Sequence, residues 1–151
     1  MKKTSWLFAL AVLLSGCTTV NIPSYIKDDH PQTQVIYANF DDTLKAVKQV
    51  LNAKGWTVVD ETDPTVYEHS SIRDEGGREL LLFTDIKEHP YILGTRYHRA
   101  NVFLRSTSQP NQTEMELRFV TINSMTFMKT KNYKHPRAAA QIFEAVNNAL
   151  K

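Results

Sequence analysis

The chain has 151 residues, with 18 Lys and Arg against 16 Asp and Glu and a formal charge of +2. A balance this even excludes the basic surface on which nucleic-acid binding depends. The single cysteine, Cys17, excludes an internal disulfide and any metal site or redox pair built on two thiols.

The first seventeen residues fall into three parts. Lys2 and Lys3 open the chain, an apolar run extends from Trp6 to Leu14, and Leu14-Ser15-Gly16-Cys17 closes it. The run is shorter than the roughly 20 residues of a membrane-spanning helix and matches the apolar region of a secretory signal. No A-x-A cleavage site follows it. The closing four residues have the pattern of a lipobox, and the whole segment resembles a bacterial lipoprotein signal peptide.

That resemblance implies cleavage between Gly16 and Cys17 and diacylation of the Cys17 thiol, with acylation of the new amino group in Gram-negative bacteria. Each buried CH₂ contributes about 0.8 kcal/mol, so two or three chains on one residue imply a permanent membrane anchor. Thr18 rather than Asp follows the cysteine, which implies sorting to the outer membrane with the domain facing the periplasm. Loss of residues 1–16 removes Lys2 and Lys3 and leaves a formally neutral mature chain. The expected layout is a signal peptide at 1–16, a lipidated cysteine and flexible tether at 17–33, and one α+β domain at 34–151.

The tether is polar and carries Pro23, Pro31 and Asp28-Asp29, although Val20, Ile22, Tyr25 and Ile26 offer apolar docking points. Sixteen flexible residues would reach about 20–24 Å. Gln34–Ala38 is expected as the first strand. Asn39-Phe40-Asp41-Asp42 then supplies a cap and acidic first turn for a helix with Leu44, Val47, Val50 and Leu51 on its apolar side. Gly55 is suited to end it.

Trp56–Asp60 reads as a second strand broken at Asp63-Pro64, Val66–Ile72 as a third, and Arg73–Arg78 as a turn through paired glycines. Glu79–Ile86 carries Leu80-Leu81-Leu82-Phe83 and reads as a central strand. Lys87–Tyr97, with Pro90 and Gly94, reads as an excursion or a distorted hairpin. Ala100–Thr107 and Glu114 to about Met128 alternate with period two. Pro136 opens a last helix with Ala139, Ile142, Phe143, Val146, Ala149 and Leu150 in one stripe.

The order β-α-β-β-β-β-α predicts an α+β fold, a single antiparallel sheet of about four to six strands with both helices on one face. The other face, with Glu116 and Arg118, is expected to meet water or a partner. Asn39-Phe-Asp-Asp-Thr-Leu, Gly55-Trp56-Thr-Val-Val-Asp60 and the closing Ala140-Gln-Ile-Phe-Glu follow a layout similar to the small helix-grip-like domains of BamC-type outer-membrane lipoproteins. The resemblance implies this fold and an envelope setting.

No compact ligand spacing links His30, His69, His89, His98 and His135. His89 and His98, beside Tyr91, Arg96 and Tyr97, form the densest polar-aromatic cluster and a candidate ligand pocket. The acidic pairs Asp28-Asp29, Asp41-Asp42, Asp60-Glu61 and Asp74-Glu75 are adjacent residues, and on a strand such neighbours point to opposite faces. No G-x-S-x-G and no phosphate loop is present. Lys129, Lys131, Tyr133, Lys134 and Arg137, with His135 among them, form a basic-aromatic stretch suited to an anionic surface or partner, which Arg96, Arg99 and Arg105 would extend.

The expectation is therefore a non-enzymatic outer-membrane lipoprotein, without cofactor or metal, that binds another envelope component in a role accessory to envelope assembly. The alternative is a periplasmic small-ligand-binding lipoprotein with a cavity between sheet and terminal helix, lidded by Tyr91–His98 and favoured by a lining of Trp56, Phe83 and Tyr91; an enzyme with an unrecognised site is the third.

Overall fold

Two long alternating segments pair along their whole length and set the frame for everything else. The computed structural model describes residues 20–68, 77–125 and 128–151. Along them run β1 (Gln32–Ile36), α1 (Phe40–Ala53), β2 (Val58–Thr62), a 3-10 turn (Pro64–Val66), β3 (Glu79–Thr84), β4 (Lys87–Tyr91), β5 (Gly94–Ser106), β6 (Thr113–Met125), β7 (Met128–Asn132) and α2 (Pro136–Ala149). β5 and β6 are antiparallel from Gly94↔Met125 to Ser106↔Thr113. Each is longer than its other neighbours and borders two of them end to end. β3 and β4 line β5, β1 and β7 line β6, and β2 lies outside β3.

The α+β class and the single antiparallel sheet match expectation, but the described residues hold seven strands. The two additional strands are hairpin arms. Lys87–Tyr97 folds as β4 against the start of β5, with Ile92-Leu93 as the turn. The stretch expected to continue to Met128 ends at Met125 and returns as β7. Neither reversal carries the Asn-Gly or Asp-Gly pair that marks hairpins in sequence, and alternation cannot register a reversal by itself. A further correction concerns Val66–Ile72. The Asp63 side chain accepts the Thr65 N–H at 2.9 Å, and Pro64–Val66 forms a 3-10 turn with no strand at Tyr67 or Glu68. Residues 69–72 and the expected turn at 73–76 lie outside the described residues.

Both helices begin, and α1 ends, as their sequences require. The Asn39 side chain accepts the Asp42 N–H at 2.9 Å, and Gly55 takes φ +74° after α1. Pro136 occupies the first turn of α2. Val47, Val50 and Leu51 of α1 and Ile142, Phe143 and Val146 of α2 pack with Val102, Leu104, Met115 and Leu117 of the sheet in one filled core. Gly94 is required by proximity, because a Cβ there would lie 2.0 Å from the Ser124 carbonyl oxygen.

The second face of the sheet is the main departure from expectation. It is covered, not open. Leu81, Phe83 and Phe103 are buried beneath Tyr25, while Val120 and Ile122 are buried with Ile26, against which Val20 and Ile22 also pack. The segment from Val20 to Ile26, expected as flexible tether, is a strap. Its polar backbone is satisfied on the sheet: Asn101 accepts the Ile26 N–H at 2.7 Å and donates to the Ser24 carbonyl at 3.1 Å, and Arg99 donates to the Pro23 carbonyl at 2.9 Å.

Arg118 and Glu116, placed on an open face by the sequence, lie under this strap. Arg118 is 7% exposed and pairs with Glu68 and Glu116, and it donates to the Tyr25 hydroxyl at 2.9 Å. Tyr25 in turn donates to Glu68 and stacks on Tyr67 with ring centroids 4.8 Å apart. Burial opposes ionisation of all three charged groups. Hydrogen bonds from Arg118 and Tyr25 outweigh it at Glu68, whose pKa is lowered, whereas burial dominates at Glu116, whose pKa is raised.

Removal of Arg118 would leave two carboxylates without their shared cation. Arg118→Ala is expected to cost about 3 kcal/mol, the range for breaking a buried ion pair, and to speed amide exchange at Ile26. Unchanged exchange would mean that apolar contacts alone hold the strap. Asn101→Ala strips partners from two strap groups and is expected to cost about 1–3 kcal/mol in urea unfolding.

Candidate functional site

Exposed sheet edges attract other strands, and proteins guard them with charge, proline or irregular pairing. β2 carries Asp60 and Glu61 and a break in register between Val58 and Asp60. β4 carries Lys87, Glu88 and Pro90, and β7 carries Lys129 and Lys131. β1 reads Gln-Thr-Gln-Val-Ile and has none of these devices. It pairs with β6 on one side only, and its other side is unpaired among the described residues.

Beside that edge runs α2. Gln32, Thr33 and Gln34 form one wall of a groove of about 520 Å³, and Ala140, Phe143 and Asn147 form the other. Phe143 supplies an apolar floor, while Glu144 and Asn147 supply polar rims. An extended peptide laid here would hydrogen-bond to the β1 backbone and set alternate side chains against the helix.

A second concavity lies at the opposite corner of the sheet. His89, Tyr91, Arg96, His98, Asn123 and Thr130 surround a cleft of about 620 Å³. The sequence groups the first four of these, but Tyr97 points to the strap face and packs with Ile122. His135 joins from α2's entry: its Nε2 and the His98 Nδ1 both contact the Thr121 hydroxyl, at 2.5 and 2.7 Å. A hydroxyl has one proton, so when it donates to one ring the other ring must donate to it. Burial pushes His98 down to about 4, with repulsion from His135, His89, Arg96 and Lys87 added, and burial likewise lowers His135. No group of three or more His, Cys, Asp or Glu that could hold a metal is found among the described residues.

The structure separates the remaining candidates. Lys129 and Lys131 lie on β7, not in a loop, and the Lys131 ammonium sits 4.9 Å from the centre of the Tyr133 ring. Tyr133 packs against the strap cluster, Lys134 borders Asp28 and Asp29, and Arg137 lies in the first turn of α2. The three arginines do not extend this group. Arg96 bonds to Asn123 in the histidine cleft, Arg99 to the strap, and Arg105 to Glu79 and Glu114 at the far end of the sheet.

Acidic pairs serve structure where they are described: Asp41 binds Arg78 at 2.9 Å and Glu61 binds Lys48 at 2.6 Å. The expected cavity lining does not converge, since Trp56 belongs to the helix-side core, Phe83 to the strap side, and Tyr91 is exposed. Cys17, His69 and Asp74-Glu75 lie outside the described residues. Comparison with protein families and with curated proteins finds no match.

The depressed pKa of His98 has a definite sign for stability. Between about pH 6.5, the ordinary value in an unfolded chain, and about pH 4, the unfolded chain binds a proton that folded His98 refuses. Stability should therefore be full above this window and fall as the pH drops through it. Urea midpoints measured from pH 7.5 to 5 are expected to fall, with a shallower slope in His98→Gln. Equal slopes would mean that the imidazole titrates as it does in the unfolded chain.

Proposed function

We propose that this protein is a lipid-anchored outer-membrane lipoprotein whose periplasmic domain, acting without catalysis, binds an extended segment of another envelope protein along the outer edge of β1. The observation that carries the reading is the unguarded edge of β1 beside the α2 groove. Every other edge strand among the described residues bears charge, proline or a register break. A strand edge left open in this way is either an aggregation hazard or a binding surface.

Two further observations support binding over enclosure of a ligand. The space between sheet and helices is filled by side chains, and the strap already occupies the other face. The edges remain as the surfaces through which the domain can be extended. The lipobox ending at Cys17 supports the anchor, and the BamC-like layout supports an envelope setting and an accessory place beside envelope assembly.

Photo-crosslinking in cells from Gln34, which faces the groove, is expected to trap an envelope protein. The adduct should disappear in Thr33→Lys, which puts charge on the edge, and should not form from Val59 on β2. No adduct from Gln34, or one that survives Thr33→Lys, would remove the β1 edge from the mechanism. Anchoring is checked separately: Cys17→Ala should leave the membrane fraction, and the wild-type protein should carry acyl mass.

A further inference from the structure

Of the large apolar residues that stand exposed among the described residues, five gather at one end of the sheet. Ile92 is 100% exposed, Leu93 60%, Met128 59%, Tyr91 39% and Met125 37%. The register brings them together, since Tyr91 pairs with Gly94, Gly94 with Met125, and Met125 with Met128. Ile92-Leu93 occupies a two-residue turn, a position normally given to Gly, Asn or Asp for backbone reasons. Nothing in turn chemistry favours an Ile-Leu pair there. Its apolar surface is the property that distinguishes it.

The strap runs toward this same end. Ile26 and Ser24 bond at Asn101, Pro23 and Ile22 bond at Arg99, and Val20 packs in the cluster of Ile26, Val120 and Ile122 that Tyr97 also joins, so rung numbers on β5 fall as the chain is followed backward. Tyr97↔Ile122 lies three rungs from Gly94↔Met125, a distance of about 10 Å at 3.4 Å per residue. Cys17 stands three residues before Val20, and three residues of chain span at most about 11 Å. The strap therefore brings an acylated Cys17 within reach of the turns.

Charge completes the pattern. The two hairpin ends, residues 87–98 and 121–132, carry Lys87, Arg96, Lys129 and Lys131 against the single acid Glu88. Tyr91, Tyr97 and Tyr133 stand among them, the residue type that favours the boundary between hydrocarbon and water. Apolar tips with a basic surround suit a bilayer containing anionic lipid.

We infer that the sheet end carrying Tyr91, Ile92, Leu93, Met125 and Met128 dips into the membrane interface and, together with the acyl chains on Cys17, fixes the orientation of the domain. The inference rests on the lipid-anchor reading for the role of Cys17, while the tip contact has its own readout. With the sheet end on the bilayer, the β1 edge lies toward the opposite end, beside Thr113–Leu117 of β6, and faces the periplasm.

The test uses the full chain, reconstituted in vesicles of phosphatidylethanolamine and phosphatidylglycerol. Ile92→Cys and, separately, Tyr37→Cys receive an environment-sensitive fluorophore; Tyr37 is 79% exposed and follows β1 at the far end. Both sites are exposed, so the fold should tolerate either change. The label at position 92 is expected to be quenched by lipid-borne nitroxide and protected several-fold from aqueous iodide relative to position 37. Replacing phosphatidylglycerol by phosphatidylcholine should reduce that protection.

Equal iodide quenching at the two positions in acylated protein would overturn the inference and leave the tips as a surface for a protein partner. Absence of acyl mass on Cys17 would overturn the anchor reading instead. In that case Cys17→Ala is added so that the label sits at position 92 alone; lipid quenching there would still uphold the tip contact, and its absence would overturn both.

Discussion

Arg118 is a cation in the middle of a central strand, 7% exposed, and the second face of the sheet is organised around it. A buried guanidinium is tolerable only with its charge matched and its donors occupied. Glu116 on the same strand, Glu68 after the 3-10 turn, and the Tyr25 hydroxyl and Ile26 carbonyl of the strap meet that need. Three pieces of chain that are distant in sequence are thereby tied to one side chain. The apolar residues around them supply the burial, and Arg118 specifies which segment lies where.

The consequence for function is a change in geometry. A flexible tether would let the domain search about 20–24 Å from its anchor. A strap that packs from Val20 onward leaves only Thr18 and Thr19 between Cys17 and the fold. With the proposed anchor, the domain would work at the membrane surface, with one end of its sheet near the lipid and its unguarded β1 edge pointing away. In the proposed arrangement anchor, strap, hairpin tips and β1 edge would form one oriented device: the first three would set position and the last would meet the partner.

The histidine cleft belongs to a different balance. Three imidazoles and Arg96 converge with no carboxylate in the lining, and burial, with repulsion from neighbouring charges added, favours the neutral rings of His98 and His135. The Thr121 hydroxyl between His98 and His135 then links their tautomers. This arrangement orders the junction between the sheet and the entry to α2, and it makes that junction sensitive to acid.

Local signals were legible in the sequence wherever a residue acts on its own backbone or on near neighbours. Asn39 as cap, Gly55 as stop, Pro136 as start, the helix stripes and the alternation of β5 and β6 all read directly, because 3.6-residue and two-residue periods are set by the chain itself. The reversals at Ile92-Leu93 and after Met125 did not, because no turn residue marks them. The convergence of His135 on His98 was equally hidden. Its only trace is a histidine just before a helix start, a position that many uninvolved residues share.

By itself the sequence determined the α+β class, the starts of both helices and the sheet face that they share. Only the tertiary structure decided that Val20–Ile26 is a strap, that Arg118 is buried, that β1 is the unguarded edge among the described residues and that Ile92, Leu93, Met125 and Met128 share one end. The physical reason is the range of the interactions. Caps, turns and periodicity act within a few residues, whereas Arg118 and Tyr25 are 93 positions apart and meet only once the sheet exists to bring them together.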